Sequence, residues 1–351
     1  MSVSVKDVAA LAGVSVGTVS NVMNRPEKVS AVVAARVQSA IDDLGFVRND
    51  AARQLRARRS KTIGMIVLDV RNPFFTDLAR AAEDRAARDG LSIILGNSDE
   101  KAERESTYLD LFEEQRMHGV LISPFGDMTD RLHRLRERGI PAVLVDRTST
   151  DDAFSSVSVD DVAGGNLAVD HLISQGRTSI AFVGGPLGIR QVVDRLEGAR
   201  AAAAGHPEVS LEVIITGALS VIEGRAAGNA ILARPAGDRP DAVFAANDLI
   251  AMGVLQALNM QGQLHVPRDI ALIGYDDIDF ASAAVVPLSS IRQPTALLGQ
   301  TAVQILLEEA ADPALAARQV VFQPELVVRE STFSPDRAAA RPNLPESSLE
   351  R

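Results

Sequence analysis

The sequence predicts an α/β protein: a three-helix helix-turn-helix head followed by two Rossmann-like subdomains. Three observations carry that expectation. The N-terminal stretch holds helix caps and a glycine turn at the spacing of short consecutive helices. From Thr62 onward, short apolar runs alternate with amphipathic segments, the pattern of parallel sheets with helices on both faces. Charge divides at the same place. Met1 to Lys61 holds ten Lys/Arg against five Asp/Glu, a net of +5 in a 351-residue chain of net −10, which leaves −15 for the rest. A basic head on an acidic body suits a nucleic-acid binder that must not bind its own body.

In the head, Ser4 and Asp7 form an S-x-x-D capping box that starts a helix near Val5. Val8, Leu11 and Ala12 lie at helical spacing on one face, and Gly13 ends the helix in a left-handed turn. Ser15 caps a second short helix whose Val19 and Val22 point back to the first. Two short helices joined by a Gly-containing turn form a helix-turn-helix, whose second helix enters the major groove. Ser30 is placed to cap a third helix with Val33, Val37, Ile41 and Leu44 as its core stripe, ended by Gly45. The head spans residues 1–48. Asn49 then begins an Ala- and Arg-rich stretch which, on its residues alone, is a basic linker with an incidental leucine.

In the body, the expected strands are Ile63–Leu68, Ser92–Leu95, Gly119–Ser123, Ala142–Val145, Ser156–Val159, Ser179–Val183, Glu212–Ile215, Ala242–Ala245 and Ile270–Gly274. Helical patterns such as Asp77–Asp89, Lys101–Met117 and Leu249–Met260 lie between them. Residues 334–351 are polar and Pro-broken, and a disordered tail without a leucine heptad is expected there.

Composition narrows the function. A hydrophobic fraction of 46% with 23% charged residues is ordinary for a globular protein. The absence of cysteine excludes disulfides, a Cys-ligated zinc finger and a cysteine nucleophile. No apolar run reaches the ~18 residues of a membrane span, and the N-terminus reads as a capping box rather than a signal peptide, so a cytoplasmic protein is expected. His118, His133, His171, His206 and His265 are scattered, without metal-ligand spacing. The Gly184–Gly188 loop lacks the Lys-Ser/Thr of a P-loop. Asp276-Asp277-Ile278-Asp279 is open to magnesium binding, although helix capping and sugar binding explain it better. No nucleophile and base pair presents itself, so neither an enzyme nor a resident cofactor or metal is expected.

The segments Lys6-Asp7-Val8-Ala9, Gly13-Val14-Ser15, Thr18-Val19-Ser20-Asn21-Val22, Asn24, Val29-Ser30 and Leu44-Gly45-Phe46 resemble the lac repressor family (LacI/GalR). The resemblance continues through Asn49–Arg59 and, with weaker motifs, to about Thr332. It implies a hinge helix within residues 49–61 and a body of periplasmic-binding-protein type over residues 62–333. Subdomain one would take about 62–161 and 292–321, and subdomain two about 162–291 and 322–333, with a ligand cleft between them.

By position, the resemblance puts Val16, Gly17 and Asn21 at the base-reading sites. Asn21 can donate to and accept from one base, and Val16 can pack on a thymine methyl. Gly17 offers no side chain, so direct readout is lean. Ser15, Thr18, Ser20 and Asn24 suit phosphate oxygens; Thr18 and Ser20 are equally readable as caps and surface groups. In the hinge, Leu55 matches the residue that wedges between base steps in the minor groove, with Ala52 beside it and Arg53 and Arg56 near phosphates.

Ligands of open α/β sheets bind at the carboxyl ends of strands. The resemblance places Phe74, Phe75, Arg147, Gln191, Arg195, Asn247 and Asp276 around the effector, with Phe74 or Phe75 stacking on a sugar or base face and Asp276 gripping two hydroxyls. Ile189, Val192, Val193 and Leu219 put apolar groups where some relatives are polar, so a relative's ligand does not transfer by position. The expected function is a homodimeric, DNA-binding repressor of a carbohydrate-use operon, controlled by a small polar effector, with induction favoured over co-repression. A co-repressor-dependent regulator of nucleotide or central metabolism, a sugar-binding protein without regulatory role and an enzyme with an appended DNA head are the alternatives.

Overall fold

The computed structural model describes residues 3–46, 60–260 and 264–333, in two compact units, Met1–Arg59 and Ser60–Arg351. The first unit contains α1 (Val5–Ala12), α2 (Val16–Asn24) and α3 (Ala31–Leu44), with a 3-10 turn at Pro26–Lys28. Asp7 Oδ2 accepts from Ser4 N at 2.8 Å and from Ser4 Oγ at 2.7 Å, closing the capping box. Gly13 and Gly45 end α1 and α3 with φ of 62° and 58°, where an L side chain would be strained. Val8, Ala9, Ala12, Val19, Val37, Ala40 and Phe46 form the core, with Val22, Val33, Ile41 and Leu44 packed against it.

Two details differ from expectation. Leu11 is 55% exposed. At 3.6 residues per turn the buried stripe of α1 is Val8, Ala9 and Ala12, and Leu11 lies about 100° round from its middle. Ser30 occupies the N-cap position of α3 but makes no side-chain cap bond; only its carbonyl enters the helix, accepting from Ala34 N at 3.0 Å.

The second unit is built on two six-stranded sheets. The first holds β1 (Thr62–Val67), β2 (Ser92–Asn97), β3 (Gly119–Ile122), β4 (Ala142–Val145), β5 (Ser156–Val159) and, later in the chain, β11 (Gln319–Phe322). Its order is β11-β5-β4-β3-β1-β2 and every pairing is parallel. The second holds β6 (Ser179–Gly184), β7 (Ser210–Ile215), β8 (Ala242–Ala245), β9 (Ala271–Asp276), β10 (Ser289–Arg292) and β12 (Glu325–Val327), in the order β12-β10-β9-β8-β6-β7. This sheet is mixed rather than wholly parallel: β12 runs antiparallel to β10 at the edge.

Alternation along the strands explains the layers, because successive side chains point to opposite faces. Ile63, Met65 and Val67 of β1 pack with α4 (Pro73–Ala87) and α12 (Thr295–Ala311) on one face. Ile66 faces α5 (Ala102–Glu114) and α6 (Thr129–Glu137) on the other. In the second sheet, Ile180 and Phe182 of β6 face α7 (Asp161–Ser174) and α8 (Arg190–Ala204). Ala181 and Val183 face α9 (Val221–Leu232) and α10 (Asp248–Met260). A short helix, α11 (Asp279–Ala283), follows β9.

The chain passes between the sheets at residues 159–161, 292–295 and 322–325, so each lobe is assembled from separate segments. Three strands that apolar runs did not announce, β10, β11 and β12, lie at these passages. β10 reads Ser-Ser-Ile-Arg, yet Ser289 and Ser290 are fully buried. They are satisfied inside: Ser290 Oγ donates to Asp248 Oδ1 at 2.7 Å, and Ser289 Oγ lies 2.7 Å from Thr332 Oγ1. The helix expected from Asp77 begins at Pro73, capped by Asn72, whose Oδ1 accepts from Phe74 N at 3.1 Å. Asn-Pro is itself a start signal. The segment Arg190–Gly198 is the front of α8.

In the second lobe α7 and α8 cross with backbone against backbone. A Cβ on Gly165 would sit 2.0 Å from the Arg195 carbonyl oxygen, and one on Gly198 would sit 1.9 Å from the Val162 carbonyl oxygen. The crossing holds Arg195 beside Asp161. Gly198→Ala is therefore expected to cost about 1–3 kcal/mol in urea unfolding, the usual range for overpacking, and to weaken effector binding by shifting Arg195.

Candidate functional site

Two surfaces carry the candidate chemistry. On the first unit, α2 presents Val16, 46% exposed, together with exposed Gly17 and Asn21. Its start is fixed by Ser15, whose Oγ accepts from Thr18 N at 3.0 Å and lies 2.9 Å from Thr18 Oγ1. Asn24 Nδ2 donates to the Ser20 carbonyl at 2.8 Å. Ser15, Thr18, Ser20 and Asn24 thus also stiffen the helix that displays Val16, Gly17 and Asn21. A Cβ on Gly17 would meet only Ser15 Oγ, at 3.5 Å, so this position has room for a side chain it does not carry. Ala52, Arg53, Leu55 and Arg56 lie outside the described residues, as do most of the 49–61 hinge and the 334–351 tail.

The second surface is a cavity at the carboxyl ends of the strands, between the lobes of the second unit. Its lining includes Asp69, Asn72, Phe74, Phe75, Glu100 and Asp146 from the first lobe, and Ile189, Gln191, Arg195, Leu219, Asn247 and Asp276 from the second. Asn72 is the N-cap of α4, and Phe74 and Phe75 form its first turn, rings edge to face at 5.0 Å and 71°. Gln191 and Arg195 are one helical turn apart on α8. Asp146 follows β4 with φ 62°, Asp276 ends β9 with φ 102°, and Glu100 follows β2 with φ 55°. Left-handed backbone at non-glycine residues is costly and gathers at functional sites.

Polar partners cross the cleft. Gln191 Nε2 donates to the Asp146 carbonyl at 2.6 Å and to Asp146 Oδ2 at 2.8 Å. Asn72 Nδ2 donates to Asp276 Oδ2 at 2.9 Å, and Gln293 Nε2 donates to Asp276 Oδ1 at 2.8 Å. Arg195 Nε bonds Asp161 Oδ1 at 2.8 Å, its Nη1 donates to the Ala246 carbonyl at 2.8 Å, and its guanidinium stacks 3.7 Å above the Tyr275 ring. Arg195 Nη2 is 3.8 Å from Asp276 Oδ1. Asp146 Oδ1, Gln191 Oε1 and Gln293 Oε1 are buried with no hydrogen-bond partner. The space left is about 30 Å³, so a ligand larger than a few waters enters only when the Gln191–Asp146 and Asn72–Asp276 bridges part.

Burial and mutual repulsion make the acids of the cavity hard to ionise. Burial, reinforced by the charge of Asp161, holds the Asp146 carboxyl well above the usual carboxylate range. Burial also raises Asp276, against the pull of Arg195. Glu100 is pushed up to about 7 by burial and then by neighbouring Asp69. Burial pulls Arg195 downward, but Asp161 and the other carboxylates outweigh it and keep the guanidinium charged.

Of the residues expected around the effector, Phe74, Phe75, Gln191, Arg195, Asn247 and Asp276 line this cavity. Arg147 does not; it faces an adjoining cavity of about 300 Å³ beyond Asp146 and Gln191, and its Nη1 donates to the Gly126 carbonyl at 2.9 Å. Sequence reasoning missed Asn72, Asp69, Glu100, Asp146 and the Asp161 that anchors Arg195. Asn72 had a signal in Asn-Pro. Asp69 and Asp146 stand directly after the expected strands Ile63–Leu68 and Ala142–Val145, where such ligands bind; Glu100 and Asp161 have no local mark.

Residues 4–49 match the family described as bacterial regulatory proteins, lacI family, and residues 169–332 match a periplasmic binding protein-like domain. The chain is 36% identical over 333 residues to the ribose operon repressor of Escherichia coli strain K12, covering 93% of this chain and 99% of that protein. It belongs to the lacI family of bacterial regulatory proteins. As a lacI-family member it is a DNA-binding transcriptional regulator. It is also 33% identical over 334 residues to the HTH-type transcriptional repressor PurR of Aliivibrio fischeri, covering 94% and 98% of the two chains. Among solved structures, the lac repressor dimer bound to operator and the anti-inducer ONPF shares 29% identity at a TM-score of 0.81, covering 95% of this chain and 100% of that one. A LacI family regulator from Enterococcus faecium with bound ribose shares 30% at a TM-score of 0.70, covering 77% and 98%. Among the described residues, no helix of this regulator is long and apolar enough to cross a membrane.

Proposed function

We propose that this lacI-family regulator is a cytoplasmic, homodimeric repressor of a pentose-use operon, released from its operator when a ribose-like sugar occupies the cleft. The observation that carries the reading is the cavity itself. Carboxylates and amides from both lobes (Asp146, Asp276, Gln191, Asn72 and Asn247) surround a small space flanked by Phe74 and Phe75. Each oxygen of a carboxylate can accept more than one hydrogen bond, so Asp276 can keep Asn72 and Gln293 and still take sugar hydroxyls. Similarity to the ribose operon repressor and to a ribose-bound regulator points to the same ligand class. The family consists of transcriptional regulators, and the role proposed here is regulatory, with no catalytic step.

The PurR similarity favours a second reading, in which a nucleobase acts as co-repressor. Titration calorimetry with D-ribose and hypoxanthine on the full chain separates the two. Heat from ribose alone supports the pentose reading. Heat from hypoxanthine alone replaces it with the nucleobase reading.

A further inference from the structure

Glu100 has no assigned role, yet it lines the effector cavity from the segment after β2. Its side chain makes no hydrogen bond or ion pair to any described residue. The backbone that presents it is unusual: Asp99 and Glu100 are consecutive non-glycine residues with φ of 53° and 55°. Asp99 is pinned there by Arg71 Nη2 at 3.1 Å, Lys101 Nζ at 2.7 Å and Arg104 Nη1 at 3.3 Å. The Glu100 N–H is tied to the Leu68 carbonyl at 3.2 Å. A strained pair fixed from both sides, ending in an acid that feels the Arg71 charge but is held by no hydrogen bond or ion pair, suits a ligand contact.

The charge inventory says which ligands that contact admits. Four carboxyl groups line the cavity (Asp69, Glu100, Asp146 and Asp276), and Arg195 is the guanidinium among its lining residues. Arg195 is already committed to Asp161, the Ala246 carbonyl and the Tyr275 ring. Arg71 bonds Asp69 from outside, its side chain 68% exposed, and Arg190 is paired with Asp194 at 2.7 Å. Arg147 faces the adjoining cavity. An anionic ligand would meet acids without a free cation. A hydroxyl-rich neutral ligand would meet acceptors, including the unpartnered Asp146 Oδ1 and Gln191 Oε1.

We propose that Glu100 is a specificity-determining residue that, with Asp69, Asp146 and Asp276, restricts the effector to uncharged hydroxyl-rich molecules and excludes their phosphorylated forms. The proposal rests on the reading of this cavity as the effector site. Titration calorimetry on the full chain at pH 8.5, above the pKa of about 7 at Glu100, at low and moderate salt, with D-ribose and D-ribose 5-phosphate tests it. The expected result is ribose bound at least ~100-fold more tightly than the phosphate ester, with the ratio shrinking as salt rises. Glu100→Gln should narrow the ratio about tenfold, the effect of one nearby charge, and Glu100→Asp should preserve it. Circular dichroism confirms that each variant is folded. Ribose 5-phosphate binding within about threefold of ribose would overturn the proposal and leave the sugar reading standing. An unchanged ratio in Glu100→Gln would remove Glu100 from the mechanism. Binding of inosine but not of inosine 5′-monophosphate, with no binding of ribose, would sink the pentose reading while supporting selection for uncharged effectors.

Discussion

Arg195→Met is expected to destabilise the second unit by about 3–5 kcal/mol, the usual consequence of removing one partner of a buried ion pair. Arg195 and Asp161 side chains are 4% and 6% exposed. Without the guanidinium, Asp161 loses its bonded partner, and Asp276 and Asp146 lose a favourable charge. The pH dependence should change with it. Asp161, Asp276 and Asp146 have folded-state pKa values raised above the ordinary carboxylate value. Such a group contributes stability that is present below the unfolded pKa and lost as pH rises through the folded one. Removing Arg195 raises these values further, so the variant should lose more stability than wild type between acid and neutral pH. Urea unfolding at several pH values checks this. Asp161→Asn in the Arg195→Met background should recover part of the loss.

Asp276→Ala should abolish the effector response. In wild type the carboxylate accepts from Asn72 on one lobe and Gln293 at a passage between lobes, and it helps to hold Arg195. Its removal leaves two buried amides without an acceptor and takes away the acceptor proposed for the sugar. Hydrogen bonds to charged groups contribute about 1.5–3 kcal/mol each, so effector affinity should fall by roughly two orders of magnitude or more. DNA affinity without effector should persist, because α2 belongs to the first of the two compact units and Asp276 to the second. Calorimetry showing wild-type affinity in this variant would remove Asp276 from the site.

The parts of the fold that were legible in the sequence are those where local chemistry and tertiary structure agree. The Ser4–Asp7 box, Gly13, Gly45 and the apolar runs of β1, β4 and β8 each have one cheap local solution. β10 was not legible, because its serines are buried by virtue of Asp248 and Thr332, distant in sequence. Leu11 was misplaced because one helical turn offers competing apolar stripes. In the cleft, Gln191, Arg195 and Asp276 could be read from family resemblance, whereas Asp146 and Glu100 depend on left-handed backbone at strand ends that no sequence pattern announces. Arg147 has the chemistry expected of the site, but its guanidinium turns to the Gly126 carbonyl.

The central claim is that occupation of the cleft by a sugar weakens the grip on DNA. We expect the sugar to act through the first lobe on the 49–61 segment. Four of its residues are arginines that repel one another, and a helix of that length is marginal alone. The most direct measurement is fluorescence anisotropy of the full chain on a near-palindromic operator obtained by in vitro selection, titrated with and without saturating D-ribose. A coupling of about 1–3 kcal/mol predicts a fall in operator affinity of roughly 5–150-fold. Operator affinity unchanged or tightened at saturating ribose, with ribose binding shown by calorimetry, would contradict it.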